Sequence, residues 1–540
     1  MKRTLAHARP CTRTWLGATL AATALGLAGC GGGGDEGGSA SALDIEEAEA
    51  AALELDDGTA QALHARGRPH CEHRVNNTPR KLLECVTLEG VKRHLAAFDR
   101  IARENGGHRA SGTSGYDRTV AYAEQVLRRA GYRVTRQEFQ FQTFVQQSPV
   151  VLEQVAPAPG GPVETRILSY SGSGDVTAPV SLPAGDVTGC TAADFAGFTA
   201  GHIALISRGT CTFAEKAANA HAAGAAGVVI YNNLPEPLNG TLGAEFTLDL
   251  PVTSVTQQVG EQLAATPGLV LHLRTDTFRG LATTSNLLAE SRHGDPDKVV
   301  MVGAHLDSVD AGPGINDNGT GAAAVLETAV QMGKVKPRQK VRFALWGAEE
   351  SGLVGSEHYV ASLTQQEKDR IALYLNFDMI GSPNHVYMIY DGDDSDATGA
   401  GPGPGRSAEI EKLFERYYTE RGLPFKGTDF DGRSDYGPFM DEGIAAGGLF
   451  TGAEGIKTEE EAALWGGTAG VAYDPCYHQA CDGMDNVNWE ALDVIADAVA
   501  YATLHYAMEK DKRVGKRHKV GHGKFSAPKH RFHRRGALRH

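Results

Sequence analysis

No run in this 540-residue chain is both apolar enough and long enough to cross a membrane as a helix; the one candidate, Trp15 to Ala28, is too short. Several catalytic signatures are missing as well. There is no G-x-S-x-G, no H-E-x-x-H and no P-loop, so a serine hydrolase, a single-zinc thermolysin-like protease and a nucleotide enzyme all lack their local marks. Cysteine is sparse, with eight residues and no C-x2-C spacing, which leaves a zinc–thiolate site without support. No basic stripe runs through the body, and the net charge is -14, so no nucleic-acid partner is expected. What remains is a soluble globular composition, 41% hydrophobic, with a length that suggests roughly three folding units.

The start of the chain reads as a leader. Lys2, Arg3, Arg9 and Arg13 precede the short apolar run, which ends in Leu27-Ala28-Gly29-Cys30. Residues 1–30 resemble a bacterial lipoprotein signal, and the resemblance implies that Cys30 carries a lipid and anchors the protein to a membrane of the cell envelope. The alternative is an ordinary export signal and a periplasmic or secreted product. Residues 31–68 are rich in Gly, Ser, Ala and acidic side chains and read as a flexible tether. At the other end, residues 509–540 read as a disordered basic tail. From Lys510 to His540 there are twelve Lys/Arg against one Asp, a charge suited to contact with anionic envelope polymers, though a tail without function fits equally. The remaining six cysteines fall into sequence-close pairs, Cys71 with Cys85, Cys190 with Cys211, and Cys476 with Cys481. In an exported chain these are expected to be disulfides.

Between leader and tail, residues 69–147 and 279–508 read as two parts of one domain. Val91, Leu95, Phe98 and Ile101, then Val120, Ala123, Val126 and Leu127, recur at helical spacing, and a strand is expected from Arg133 to Phe141. After Thr284, apolar strands (298–304, 340–346, 371–377, 386–390) alternate with amphipathic helices (319–332, 352–363, 407–422, 489–505), the pattern of a largely parallel sheet covered on both faces. Residues 148–278 differ, with short strands, Gly/Pro turns and one Ala-rich helix at 213–223. The strings His202 to Lys216 and Gly224 to Asn233 resemble the protease-associated domain, a module inserted in several peptidase families. That likeness implies a lid or a substrate-contact surface, with a mere spacer as the alternative.

Three of the expected strands end in metal-competent side chains: His305 and Asp307, Glu349 and Glu350, and Asp378. Asp317 follows the first, and Tyr477 and His478 come late. In an open sheet the carboxyl ends of parallel strands share one edge, so these groups gather there. Crowded carboxylates are costly unless cations sit among them.

The order of these groups, in the strings HLDS (305–308), GINDNGTG (314–321), GAEESGL (347–353), NFDMIG (376–381) and YHQACD (477–482), resembles the di-zinc exopeptidases related to secreted bacterial leucine aminopeptidase and aminopeptidase Y. The loop His108 to Tyr116 also resembles that family. The likeness implies an α/β fold with a mostly parallel central sheet and the inserted domain. It further implies two Zn2+ per chain, one held by His305 and Asp378, the other by Glu350 and His478, with Asp317 bridging. Asp307 is then the outer carboxylate that orients His305, Glu349 the general base, and Tyr477 a donor to the oxyanion. Arg433, in the string Gly432 to Phe439, helps place the substrate terminus or is only part of a structural loop. The expected activity is removal of N-terminal residues from peptide or protein substrates. The alternatives are a carboxypeptidase of the same fold and a non-catalytic binding protein that works through its inserted domain.

Overall fold

Alternation predicts a short strand at Arg133–Phe141, yet in the computed structural model that strand runs on to Ala156. The structure describes residues 71, 73–233, 238, 240–399 and 401–510. Cys30, the leader, the tether and all of the basic tail beyond Lys510 therefore lie outside the described residues.

Strand β1 (Arg133–Ala156) pairs antiparallel with β2 (Val270–Glu290) from Arg133↔Glu290 to Ala156↔Val270, forming one long ribbon. Its register slips between Gln146 and Val151, where Pro149 cannot donate to the ladder. The expected limits of the inserted segment, at 148 and 278, thus fall inside continuous strands and not in loops. Sequence composition changes there, but the backbone pairing does not.

One half of the ribbon edges the larger sheet. Beside β2 lie β3 (Asp295–His305), β4 (Gln339–Trp346), β5 (Ile371–Phe377), β6 (Met388–Tyr390) and β7 (Ala446–Phe450), in the order β2-β4-β3-β5-β7-β6. The pairs β4/β3, β3/β5 and β5/β7 are parallel, whereas β2/β4 and β7/β6 are antiparallel. The sheet is parallel at its centre, antiparallel at β2/β4 and β7/β6, and parallel again where Lys426–Thr428 joins β6, so β3, β4 and β5 end on one side. Strand β7 has no counterpart in the sequence reading, because its glycines hide the pattern. A Cβ on Gly448 would lie 1.8 Å from the Asn376 carbonyl oxygen, so only glycine lets β7 approach β5.

Helices cover both faces, as β-strands buried on both sides require. On one face, α1 (Leu88–Glu104), α2 (Ser114–Arg129), α3 (Gly321–Met332) and α4 (Trp489–Ala507) share a single apolar core. Thr87 starts α1 by accepting a hydrogen bond from the Gly90 N–H, and the helix buries Val91, Leu95 and Phe98 at helical spacing. On the other face Trp346, Tyr359, Tyr374 and Phe439 pack together. None of the helices among the described residues is long and apolar enough to cross a membrane.

The other half of the ribbon carries a smaller sheet. Gly174–Ser181 pairs with β2, and the parallel strands Ile203–Ser207, Gly227–Tyr231 and Val252–Val255 follow. This part has its own apolar core around Ile206, Phe213, Ile230 and Leu250. Its helix Phe213–Ala222 begins in a capping box between Thr212 and Glu215. All three expected disulfides are formed, Cys71–Cys85, Cys190–Cys211 and Cys476–Cys481.

Candidate active site

His305 is the last residue of β3, Glu349 and Glu350 follow the end of β4 by three and four residues, and Asp378 directly follows β5. The parallel register delivers them to one edge. Asp317 arrives from the turn ahead of α3, and His478 from the loop closed by the Cys476–Cys481 bridge.

Asp317 stands between the two imidazoles. Its Oδ1 lies 3.2 Å from His305 Nε2 and its Oδ2 lies 3.2 Å from His478 Nε2. Around His305 Nε2 are also Asp378 Oδ1 at 3.3 Å and Glu349 Oε2 at 3.7 Å. Around His478 Nε2 is Glu350 Oε2 at 3.0 Å. The structure therefore brings all five expected ligands and Glu349 together, as two donor groups joined by Asp317.

Neighbouring groups aim these side chains. Both oxygens of buried Asp482 accept backbone hydrogen bonds, from Asn316 at 2.8 Å and Asp317 at 3.0 Å. Asn318 donates to the Phe377 carbonyl and accepts from the Met379 N–H, tying the Asp317 turn to the Asp378 loop. Ser434 donates to Asp378 Oδ2 at 2.6 Å, at the end of a buried chain that runs from Trp346 through Tyr374 and Asn376. Asp307 was expected to orient His305 through its carboxylate. That carboxylate is 3.6 Å from His305 Nδ1, whereas the Asp307 carbonyl lies at 3.2 Å and makes the contact. Either way Nδ1 is occupied and Nε2 faces the carboxylates.

Ala348, Met379 and His478 hold positive φ of 53°, 47° and 56° without being glycine. Each is a ligand candidate or directly precedes or follows one of the site carboxylates. Such strained backbone persists only where its surroundings over-determine it, and it clusters at functional sites.

The electrostatics follow from burial and crowding. Burial would raise Asp317, but hydrogen bonds from His305 and His478 hold it well below the usual carboxylate range. Glu349 is pushed well above that range by burial, with Asp435, Asp378 and Glu350 adding to the shift against the pull of His305. Burial likewise raises Glu350. Burial opposes charge on the two imidazoles, yet the surrounding carboxylates raise both well above their ordinary value. Asp378 Oδ1 and Glu350 Oε1 are buried with no hydrogen-bond donor. His305, Asp317 and Glu350 each offer a ligand atom within 4.8 Å of the others, as do His305, Glu349 and Asp378, so imidazole nitrogens and unsatisfied carboxylate oxygens form a donor set that fits a divalent metal such as zinc.

Comparison with known proteins agrees. The profile of Peptidase family M28 matches residues 286–503, and that of the PA domain matches residues 176–263. An aminopeptidase of Pseudomonas aeruginosa is 51% identical over 442 residues, covering 79% of this chain and 82% of its own. This chain belongs to peptidase family M28. A probable lipoprotein aminopeptidase, LpqL, of Mycobacterium tuberculosis is 44% identical over 78% of this chain and 86% of its own. Among solved structures, BSAP, a zinc aminopeptidase from Bacillus subtilis, superposes with a TM-score of 0.61 at 26% identity, covering 78% of this chain and 96% of that one. The expected α/β fold with its inserted protease-associated domain stands, and so does the enzyme class, a peptidase.

Within this M28 site, two arginines brace the loops that carry the candidate ligands. Arg433 was expected to place the substrate terminus or to be structural. Its guanidinium is engaged, donating to Glu454 Oε1 at 2.8 Å and to the Tyr477 hydroxyl at 3.1 Å. It thereby holds Tyr477, whose ring stacks on His478 with centroids 3.9 Å apart. The second is Arg109, which carried no expected role. It is fully buried and donates to the carbonyls of Leu306, Pro313 and Gly314, bracing the loop between His305 and Asp317. The loop His108 to Tyr116 signalled the place, but spacing cannot show that a surface-type residue turns inward.

Removing that brace should be costly. Arg109→Ala leaves three carbonyls and the nearby Asp307, Asp482 and Asp317 without their cation, and is expected to destabilise the fold by about 3–5 kcal/mol. Thermal unfolding measures this directly; a melting temperature unchanged from wild type would show that the brace is dispensable.

Proposed function

We propose that this M28 aminopeptidase cleaves the N-terminal residue from peptides with two zinc ions, one on His305 and Asp378, the other on Glu350 and His478, bridged by Asp317. The observation that carries this reading is the bridging carboxylate, each oxygen of which faces a different imidazole at 3.2 Å. Zinc held by these residues would supply a water of lowered pKa and polarise the scissile carbonyl.

The chain's own groups do the rest. Glu349 stands beside His305 and Asp378, where its carboxylate can accept a proton from the attacking water and pass it to the leaving amine, and burial raises its proton affinity. Tyr477 donates its hydroxyl hydrogen to the oxyanion of the tetrahedral species. Arg433 keeps that phenol in place, and the Cys476–Cys481 bridge limits the freedom of the loop that carries it. Since the relatives are aminopeptidases, the free end recognised is the amine, which sets aside the carboxypeptidase and non-catalytic alternatives. The lipoprotein name of the mycobacterial relative supports export, with Cys30 as the anchored residue.

The deciding assay offers matched peptides with a free or an acetylated N-terminus, and with a free or an amidated C-terminus. Acetylation should abolish turnover while amidation leaves it intact. Cleavage of the acetylated peptide would overturn the aminopeptidase reading.

A further inference from the structure

His305, Glu350 and Asp378 reach the site at or just beyond strand ends, whereas Asp317 and His478 come from loops whose spacing no strand sets. A closed ring of hydrogen bonds behind the ligands sets it. Two buried carboxylates, Asp474 and Asp482, stand on either side of the Cys476–Cys481 bridge, and two buried asparagines join them. Asn316, next to Asp317, donates its side-chain amide to Asp474 Oδ2 at 2.7 Å and its backbone N–H to Asp482 Oδ1 at 2.8 Å. Asn486 donates its side-chain amide to Asp474 Oδ1 at 2.9 Å and to Asp482 Oδ1 at 3.1 Å. The backbone N–H groups of Cys476 and Asp317 complete the set, at 2.8 Å from Asp474 Oδ1 and 3.0 Å from Asp482 Oδ2.

Every donor in this ring is a neutral amide, which must be aimed to bond at all, so the ring fixes geometry. Opening it would leave buried carboxylate oxygens unsatisfied, and it resists opening for that reason. The two loops also touch directly. A Cβ on Gly312, in the segment between His305 and Asp317, would lie 2.3 Å from the Gln479 carbonyl oxygen, so no side chain separates them. His478 sits in the closed loop with a φ of 56°, a left-handed conformation that a non-glycine residue keeps only where its surroundings enforce it. The product of these constraints is the 3.2 Å approach of His478 Nε2 to Asp317 Oδ2.

We infer that Asp482 and Asn486 are positioning residues, which hold Asp317 and His478 at one spacing and thereby retain chiefly the ion on Glu350 and His478. The inference rests on the two-zinc reading above. Two of the three side chains assigned to that ion, His478 and the bridging Asp317, stand on the ring. Of those assigned to the other ion, only Asp317 does. His305 and Asp378 are fixed by their strands, and Ser434 holds Asp378 Oδ2 at 2.6 Å independently of the ring. Loosening the ring therefore weakens the two ions unequally, and partners outside the coordinating set decide which one leaves first.

The test follows zinc as it leaves full-length, zinc-loaded protein for a chelator, in wild type, Asp482→Asn and Asn486→Ala, with the melting temperature read beside it. Asp482→Asn keeps the side chain's volume but replaces one accepting oxygen with an NH2. It should speed the release of one ion by about 10- to 100-fold, the scale of a lost outer partner, and of the other by no more than about 3-fold. Asn486→Ala removes the amide that links the two aspartates and should speed the same ion by about 3- to 10-fold. If Asp482→Asn does not fold, Asn486→Ala carries the test alone. A His478→Gln background, which lacks the second ion, identifies the one affected: adding Asn486→Ala there should leave the release of the remaining zinc within about 3-fold. Equal acceleration of both ions, wild-type release in the folded variants, or a larger acceleration in the His478→Gln background would each overturn the proposal, whatever the melting temperature does. Wild-type protein that binds fewer than two zinc ions would instead sink the reading on which the inference rests.

Discussion

Glu349→Gln is expected to lower kcat by about 10²- to 10⁴-fold while zinc remains bound at the wild-type ratio. The substitution keeps volume and hydrogen-bonding reach but removes the capacity to accept a proton. Glu349 Oε2 is 3.7 Å from His305 Nε2, farther than Asp317 or Asp378, which suits a group beside the metals more than one coordinating them. Burial, with Asp435, Asp378 and Glu350 nearby, raises its proton affinity above that of an ordinary carboxylate. Steady-state kinetics paired with elemental analysis separates the possible outcomes. Loss of turnover together with zinc would make Glu349 a ligand, whereas full activity in the variant would remove it from the proton-transfer role.

The assignment of Glu349 as base and Glu350 as ligand came from the likeness to the di-zinc exopeptidases, because strand spacing does not distinguish two adjacent glutamates in a loop. What the strand pattern itself made legible was the gathering of metal-competent groups at one sheet edge. His305 ends its strand and Asp378 directly follows one, so a parallel sheet forces their convergence whatever the loops do. Disulfides were legible for a similar reason, since short separations leave few ways to pair. What stayed hidden depends on contacts between distant segments. Arg109 looks like any charged loop residue until its guanidinium is seen to reach carbonyls about two hundred positions away. Strand β7 is masked by its glycines, of which Gly448 permits the close approach to β5. The ribbon passes through the composition change at both ends of the insert, because pairing depends on the backbone and tolerates a change in side-chain character. At Asp307, local geometry gives the contact with His305 to the backbone carbonyl, which spacing alone does not show.

Stripping the enzyme with 1,10-phenanthroline is expected to abolish turnover and lower the melting temperature, with both restored by added zinc. The argument is one of charge. Asp317, Glu349, Glu350 and Asp378 are gathered in a buried space, with Asp435, Asp474 and Asp482 behind them, and Arg109 is the fully buried arginine among the described residues nearby. Without cations the cluster compensates by retaining protons. Glu349 and Glu350 are shifted upward by burial, Asp435 is pushed up to about 8 and Asp482 to about 7 by the same cause, and both imidazoles are held protonated by their carboxylate neighbours. Zinc must displace the protons on its ligands, since an imidazolium cannot coordinate and a protonated carboxyl coordinates poorly. Protons and zinc therefore compete. Because the folded, metal-free site binds more protons than the unfolded chain would, its own stability falls as pH rises from the ordinary carboxylate range through neutrality. Zinc affinity should move the other way, strengthening with pH over the same window as the ligands deprotonate. Titrations at pH 6, 7 and 8 should show proton release on binding and a steep gain in affinity, and the stabilisation conferred by zinc should grow in parallel. Activity that survives complete removal of metal, or an affinity indifferent to pH, is incompatible with His305 and His478 serving as ligands.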